Sequence, residues 1–150
     1  MRGRVRVDRG MRIGLTSGVF DLVHYGHLVY LERCKAHCDT LIVGVDCDAM
    51  VKVAKGPTRP LIPELERLQM IQALEQVDAA FLVRDLSDLE QMVLAFRVGL
   101  VFKHEGFRYI ENVIGVDGTN AKLCIISDVP GLRSTTEIIA EVLHRAKRGT

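Results

Sequence analysis

Residues 40–45, Thr-Leu-Ile-Val-Gly-Val, form an almost wholly apolar run. The run is short, rich in β-branched side chains and lacks polar alternation, so it reads as a strand covered on both faces. Such strands belong to parallel sheets, whose neighbours are joined by crossovers. The rest of the chain supplies crossovers in order. A strand over 12–16 precedes a helix over 27–38. After 40–45, Asp46, Cys47 and Asp48 cap a short helix to about residue 53. Gly56, Pro57 and Pro60 mark a loop over 55–60. Pro63 opens a helix to about residue 76, with apolar Leu65, Leu68, Ile71, Ala73 and Leu74. Strands follow over 79–83, 100–103 and 122–127. Helices follow over 87–98, capped by Ser87, and over 134–147, opened by a capping box of Ser134 and Glu137. The fold class expected is α/β, an open, mostly parallel five-stranded sheet with helices on both faces.

In such sheets ligands bind beyond the carboxyl ends of the strands. Those ends hold most of the chemically distinctive residues. The first strand leads into Gly18-Val19-Phe20-Asp21-Leu22-Val23-His24-Tyr25-Gly26-His27. The next apolar repeat, Leu28, Leu31, Cys34 and Cys38, is helical. His24 and His27 therefore stand three apart at the start of a helix, close to one face. Free N–H groups and the positive end of a macrodipole make a helix start an anion site. Two further proton donors there point to polyphosphate. The second strand delivers Asp46 and Asp48, the fourth Lys103, and the last the loop before Ser134.

The balance of the chain excludes several classes. Its 150 residues suffice for a packed core, and 48% hydrophobic with 26% charged residues is a globular composition. A net charge of +1 provides no global attraction to nucleic acid. No apolar run reaches bilayer length, so no membrane span is expected. Residues 1–10 form a basic N-terminal extension without an apolar signal core, followed by a single domain over 11–150. Cys34, Cys38, Cys47 and Cys124 contain no Cys-x-x-Cys pair and are expected as free thiols in a cytoplasmic protein. Cys34, His37 and Cys38 offer three metal-type ligands, but both thiols fall in the apolar stripe, so no metal site is expected. Residues 104–121 are the least regular part and are expected as a loop over the site.

The turn from Gly18 through Phe20, Asp21, His24, Gly26 and His27 resembles the G-x-F-D-x-x-H-x-G-H signature of cytidylyltransferase-like nucleotidylyltransferases, a Rossmann-like family. Two later segments strengthen the resemblance. Lys55-Gly56-Pro57-Thr58-Arg59-Pro60, with Arg67 beyond it, is similar to a Lys-Gly…Arg-Pro loop in members that use sugar phosphates. Ser134-Thr135-Thr136-Glu137-Ile138-Ile139 is similar to the family's C-terminal Ser-Thr-Thr motif. The resemblance spans about residues 11–145 and is strongest to the adenylyltransferase domain of ADP-heptose synthesis, with glycerol-phosphate cytidylyltransferases as close relatives. Two departures bear on specificity. Arg133 lies where those cytidylyltransferases carry Ile, and Val129 where they carry Arg. Lys103-His104-Glu105-Gly106-Phe107 replaces the usual Lys-Gly-Gly-Asp-Tyr.

The resemblance implies nucleotidyl transfer: an acceptor phosphate attacks the α-phosphorus of ATP or CTP, accompanied by Mg²⁺, and pyrophosphate leaves. The acceptor is already a nucleophile, so the protein supplies alignment and positive charge. His24, His27 and Lys55 are the expected catalytic residues. Gly18, Val19, Phe20, Gly26, Arg67, Arg133, Ser134, Thr135 and Thr136 are expected to hold the nucleotide, and Asp48, Arg59 and Lys103 the acceptor. Asp21 reads as a turn former, because a carboxylate against a triphosphate repels it. The expected partners are a nucleoside triphosphate and a phosphorylated small molecule, with no nucleic acid or membrane, in a homodimer. The alternatives are an inactive nucleotide-binding module of the same fold and a cytidylyltransferase acting on glycerol 3-phosphate. A class I aminoacyl-tRNA synthetase fragment shares the His-x-Gly-His turn but lacks the basic balance that tRNA requires.

Overall fold

The computed structural model describes residues 10–107, 116 and 118–149. The basic extension over 1–9 and most of the irregular segment (108–115 and 117) lie outside the described residues. The described chain alternates strand and helix: β1 (Ile13–Gly18), α1 (Tyr25–Ala36), β2 (Thr40–Asp46), α2 (Asp48–Lys55), α3 (Glu64–Gln72), β3 (Ala79–Val83), α4 (Leu86–Ala95), β4 (Leu100–His104), β5 (Lys122–Ile126) and α5 (Thr135–Arg148). The five strands form one sheet in the order β3-β2-β1-β4-β5, and every pairing is parallel. The order reverses beside β1, which opens a crevice at its carboxyl end.

Strand periodicity sorts the core into two layers. Leu41, Val43 and Val45 of β2 and Phe102 of β4 pack with Leu31 and Cys34 of α1 and Ile71 of α3. Ile13 and Leu15 of β1, Ile42 of β2 and Val101 of β4 pack on the other face with Leu89 and Val93 of α4. The sheet is thus covered on both faces, as the apolar 40–45 run requires. Cys34 and Cys38 are buried in the first layer, and burial pushes both thiols up, Cys34 to about 12. All four cysteines are free thiols.

The boundaries that moved did so for local reasons. α1 starts at Tyr25 rather than residue 27, because His24 itself is the N-cap. Asp85, not Ser87, caps α4: its carboxylate accepts the Ser87 amide at 2.8 Å. The α2 cap is Cys47, whose side chain makes no capping bond; the Glu64 carboxylate accepts the Asp48 amide at 2.7 Å instead. α3 ends at Gln72, four residues short of the expected end. The α5 capping box of Ser134 and Glu137 forms as expected.

At Gly14, the second residue of β1, a β-carbon would run into the Phe102 ring and Cys38 Sγ. Gly14→Ala is therefore expected to destabilise the protein by about 1–3 kcal/mol through overpacking. Urea denaturation checks this; an unchanged midpoint would show that the ring yields freely.

Candidate active site

The carboxyl ends of β1, β2 and β4, with the starts of α1 and α5, enclose a cleft of about 1040 Å³. The turn after β1 is its keystone. Phe20 and Leu22 both adopt left-handed φ of 51°, which is unfavourable for bulky side chains. The buried Asp21 between them fixes the turn. Its carboxylate accepts the amides of Leu61 (2.8 Å) and Ile62 (2.9 Å) and the Arg59 Nε–H (2.8 Å). Burial pushes this carboxyl up, but the two amides and the guanidinium outweigh it and hold the group below the usual carboxylate range. With both carboxylate oxygens bonded, Asp21 is an anchor, in line with its reading as a turn former.

The histidines cap α1 reciprocally. The Gly26 amide donates to His24 Nδ1 at 3.1 Å, and the His24 amide donates to His27 Nδ1 at 3.3 Å. A ring nitrogen that accepts carries no proton, so each neutral imidazole keeps its proton on Nε2. The rings lie 3.9 Å apart, centroid to centroid. Burial lowers the His24 pKa, and burial together with the His24 charge lowers that of His27 to about 4. Both rings are therefore neutral Nε2–H donors at neutral pH, rather than cations.

The third segment closes against them. Thr135 Oγ1 donates to the Asp21 carbonyl at 2.8 Å and lies 3.3 Å from His24 Nε2. The Thr135 hydroxyl thus holds His24 as well as facing the cleft. Ser134 spends its hydroxyl on the Glu137 amide at 3.2 Å. The amides of Thr135 and Thr136 have no partner among the described residues and open the 14-residue α5.

Most of the expected residues converge. Gly18, Val19, Phe20, Gly26, His24, His27, Lys55, Arg59, Lys103, Arg133, Ser134, Thr135 and Thr136 all line the cleft. The need for glycine at position 26 is met by protein atoms: a β-carbon there would lie 2.9 Å from the His24 ring and 3.1 Å from the Arg133 carbonyl oxygen. Arg67 and Asp48 do not line the cleft. Arg67 is only 1% exposed, and its guanidinium donates to the Ile62 carbonyl (2.8 Å), the Val19 carbonyl and the Asp48 carboxylate (2.7 Å). These contacts occupy the fork that was expected to clamp phosphate and one oxygen of the carboxylate expected to meet the acceptor. The signal was legible, since Arg67 lies four residues before buried Ile71 on the same helical stripe. Sequence reasoning brought Asp46 to the site but gave it no role; it lines the cleft at the end of β2.

Residues 15–122 match the Cytidylyltransferase-like family model, and the chain belongs to this family of nucleotidyltransferases. It is 38% identical over 137 residues to the bifunctional protein HldE of Caulobacter vibrioides and 38% identical over 138 residues to that of Methylobacillus flagellatus. Each match takes in 89% of this chain and 28% of the relative, so the chain spans little over a quarter of those proteins. The crystal structure of a lipopolysaccharide core biosynthesis protein from Thermoplasma volcanium superposes with a TM-score of 0.69 at 28% identity, over 80% of this chain and 99% of that one. A pantoate-beta-alanine ligase from Francisella tularensis shares the fold, with a TM-score of 0.52 at 13% identity, over 95% of this chain and 74% of that one.

Two predictions follow from the buried groups. Arg67→Ala leaves Asp48 and two carbonyls without their donors and is expected to cost about 3–5 kcal/mol in stability. Chemical denaturation measures it, and a loss below 1 kcal/mol would return Arg67 to a ligand role. His27 binds fewer protons in the folded than in the unfolded state between its folded value of about 4 and the ordinary 6.5. Its contribution is present above about pH 6.5 and lost as pH falls towards 4. Between pH 7 and 4.5 the wild type should lose on the order of 2 kcal/mol more stability than His27→Gln. Parallel acid limbs in the two denaturation series would refute it.

Proposed function

We propose that this domain transfers a nucleoside monophosphate from ATP or CTP to a phosphorylated sugar or polyol, releasing pyrophosphate. The observation that carries the reading is the pair of neutral Nε2–H donors beside the open amides of α5, in one cleft with Lys55, Arg59 and Lys103. An acceptor phosphate oxygen forms the new bond to the α-phosphorus, and the bond from that phosphorus to the β-bridging oxygen breaks. Negative charge grows on the α-phosphate oxygens and on the leaving pyrophosphate. His24 and His27 donate to these oxygens without first losing a proton, and the α5 start receives the pyrophosphate. Val19 and Phe20 line the same cleft. Lys55 and Arg59 bring cationic charge to the acceptor phosphate, Arg59 while braced on Asp21.

Mg²⁺ belongs to the same reading as a companion of the triphosphate, neutralising its charge. The cleft fits an ion carried in on phosphate oxygens: no group of three His, Cys, Asp or Glu side chains suited to a metal occurs among the described residues. We also propose a cytoplasmic homodimer without membrane or nucleic-acid contact. No described helix is long and apolar enough to cross a membrane. α5 buries none of its residues and leaves Val142 and Leu143 open, which supports a partner surface.

His24→Ala and His27→Ala are each expected to lower turnover by roughly a hundredfold or more. Pyrophosphate release with ATP and CTP over a panel of sugar and polyol phosphates measures it. Near-normal turnover in both variants would refute the donor roles. Tight nucleotide binding without turnover on any acceptor would leave a binding module.

A further inference from the structure

The floor of the cleft holds a carboxylate that phosphate chemistry does not use. Strand parity places it. Leu41, Val43 and Val45 of β2 face α1 and α3, whereas Ile42 faces α4, so Asp46 continues the α4 face. Phe102 of β4 faces α1 and Val101 faces α4, so Lys103 shares the α4 face. Ser17 follows Ile13 and Leu15 of β1 on that face too. The strand order β2-β1-β4 brings the three polar groups to one face near the carboxyl edge, Asp46 two residues beyond the level of Ser17, and all three line the cleft.

Lys103 Nζ lies 3.4 Å from Ser17 Oγ and 4.7 Å from the Phe107 ring centroid. The Asp46 carboxylate has no hydrogen bond or ion pair among the described residues, and none with Lys103 within 4.0 Å. Burial pushes the Asp46 carboxyl up, opposed by the Lys103 and Arg67 charges, and pushes the Lys103 ammonium down, opposed by Asp46. Two partly desolvated charges of opposite sign thus line one cleft without an ion pair between them. A second phosphate there is drawn by Lys103 and repelled by Asp46, and a divalent cation meets the reverse. A neutral hydroxyl satisfies both, donating to the carboxylate and accepting from the ammonium. Met50 and Leu89 also line the cleft, and a drier setting strengthens both bonds.

We propose that Asp46, with Lys103 opposite, is the subsite that recognises a free hydroxyl on the acceptor, selecting polyol or sugar phosphates over simple phosphate monoesters. The inference rests on the transfer reading above and adds to it the group that sets acceptor class. The hydroxyl is assigned to the acceptor, not to the nucleotide ribose, because Asp46 leads through β2 into α2 and Lys55. The triphosphate donors belong to α1 and α5.

The test is steady-state pyrophosphate release with ATP and with CTP, using glycerol 3-phosphate, hexose 1-phosphates and the deoxygenated analogue propyl phosphate. Wild type should favour a hydroxylated acceptor over propyl phosphate by roughly 10- to 100-fold in KM. Asp46→Ala should raise the KM of the hydroxylated acceptor by a similar factor, remove that preference, and leave the KM for nucleotide unchanged. The isosteric Asp46→Asn, which keeps one accepting oxygen, should fall between them. Both variants should melt no lower than wild type, because the carboxylate makes no hydrogen bond or ion pair among the described residues. Unchanged acceptor KM in both variants overturns the subsite. A rise confined to nucleotide KM, together with a wild type that uses 2′-deoxynucleotides poorly, also overturns it and moves the hydroxyl to the ribose. A wild type that turns over none of the acceptors overturns the transfer reading and the subsite with it, and is distinguishable because the failure precedes any substitution.

Discussion

The Asp21 carboxylate is the point on which the site depends. Its oxygens take the amides of Leu61 and Ile62 and the Arg59 guanidinium, some 40 residues along the chain, while its own carbonyl takes the Thr135 hydroxyl 114 residues away. One buried residue thereby joins the turn after β1, the loop before α3 and the start of α5. It also offsets two left-handed φ angles beside it, which an exposed turn of bulky residues would relax. Arg67 repeats the logic one layer deeper, holding the Val19 and Ile62 carbonyls together with Asp48. Charges that look like ligands in the chain thus serve as the frame that holds the ligand-facing atoms.

The two histidines show how a fold sets protonation without a nearby carboxylate relay. Capping α1 with both Nδ1 atoms satisfies orphan amides and fixes each ring's orientation and tautomer. Burial then keeps the rings neutral. A neutral donor suits a reaction in which charge redistributes over phosphate oxygens and no nucleophile needs deprotonation. Thr135 limits the swing of His24 from the far side of the cleft.

The cleft divides along β1. On the α1 and α5 side it presents N–H donors, which suit a polyanion. On the α4 side it presents Asp46 and Lys103 as separated opposite charges, which suit a neutral polar group. Leaving a half-buried carboxylate without a partner among the described residues costs stability, and such a cost is commonly retained where binding needs it.

The sequence by itself determined the architecture. A short, β-branched apolar run over 40–45 fits a sheet covered on both faces, and alternating helical and strand periods leave parallel crossovers as the connection. It also determined which segments meet, because strand carboxyl ends converge in such a sheet: the His-x-Gly-His turn, the Lys-Gly loop and the Ser134 helix start all face one cleft. Tertiary structure alone decided what each side chain does there. Arg59 and Arg67 are both cations after a Gly-Pro loop, yet one lines the cleft and the other is sealed at 1% exposure, because only the second falls on the stripe of Ile71. Asp46 and Asp48 are two apart, yet Arg67 takes Asp48 and nothing among the described residues takes Asp46. Partners so distant in the chain are set by packing, and local sequence carries no record of which donor reaches an acceptor first.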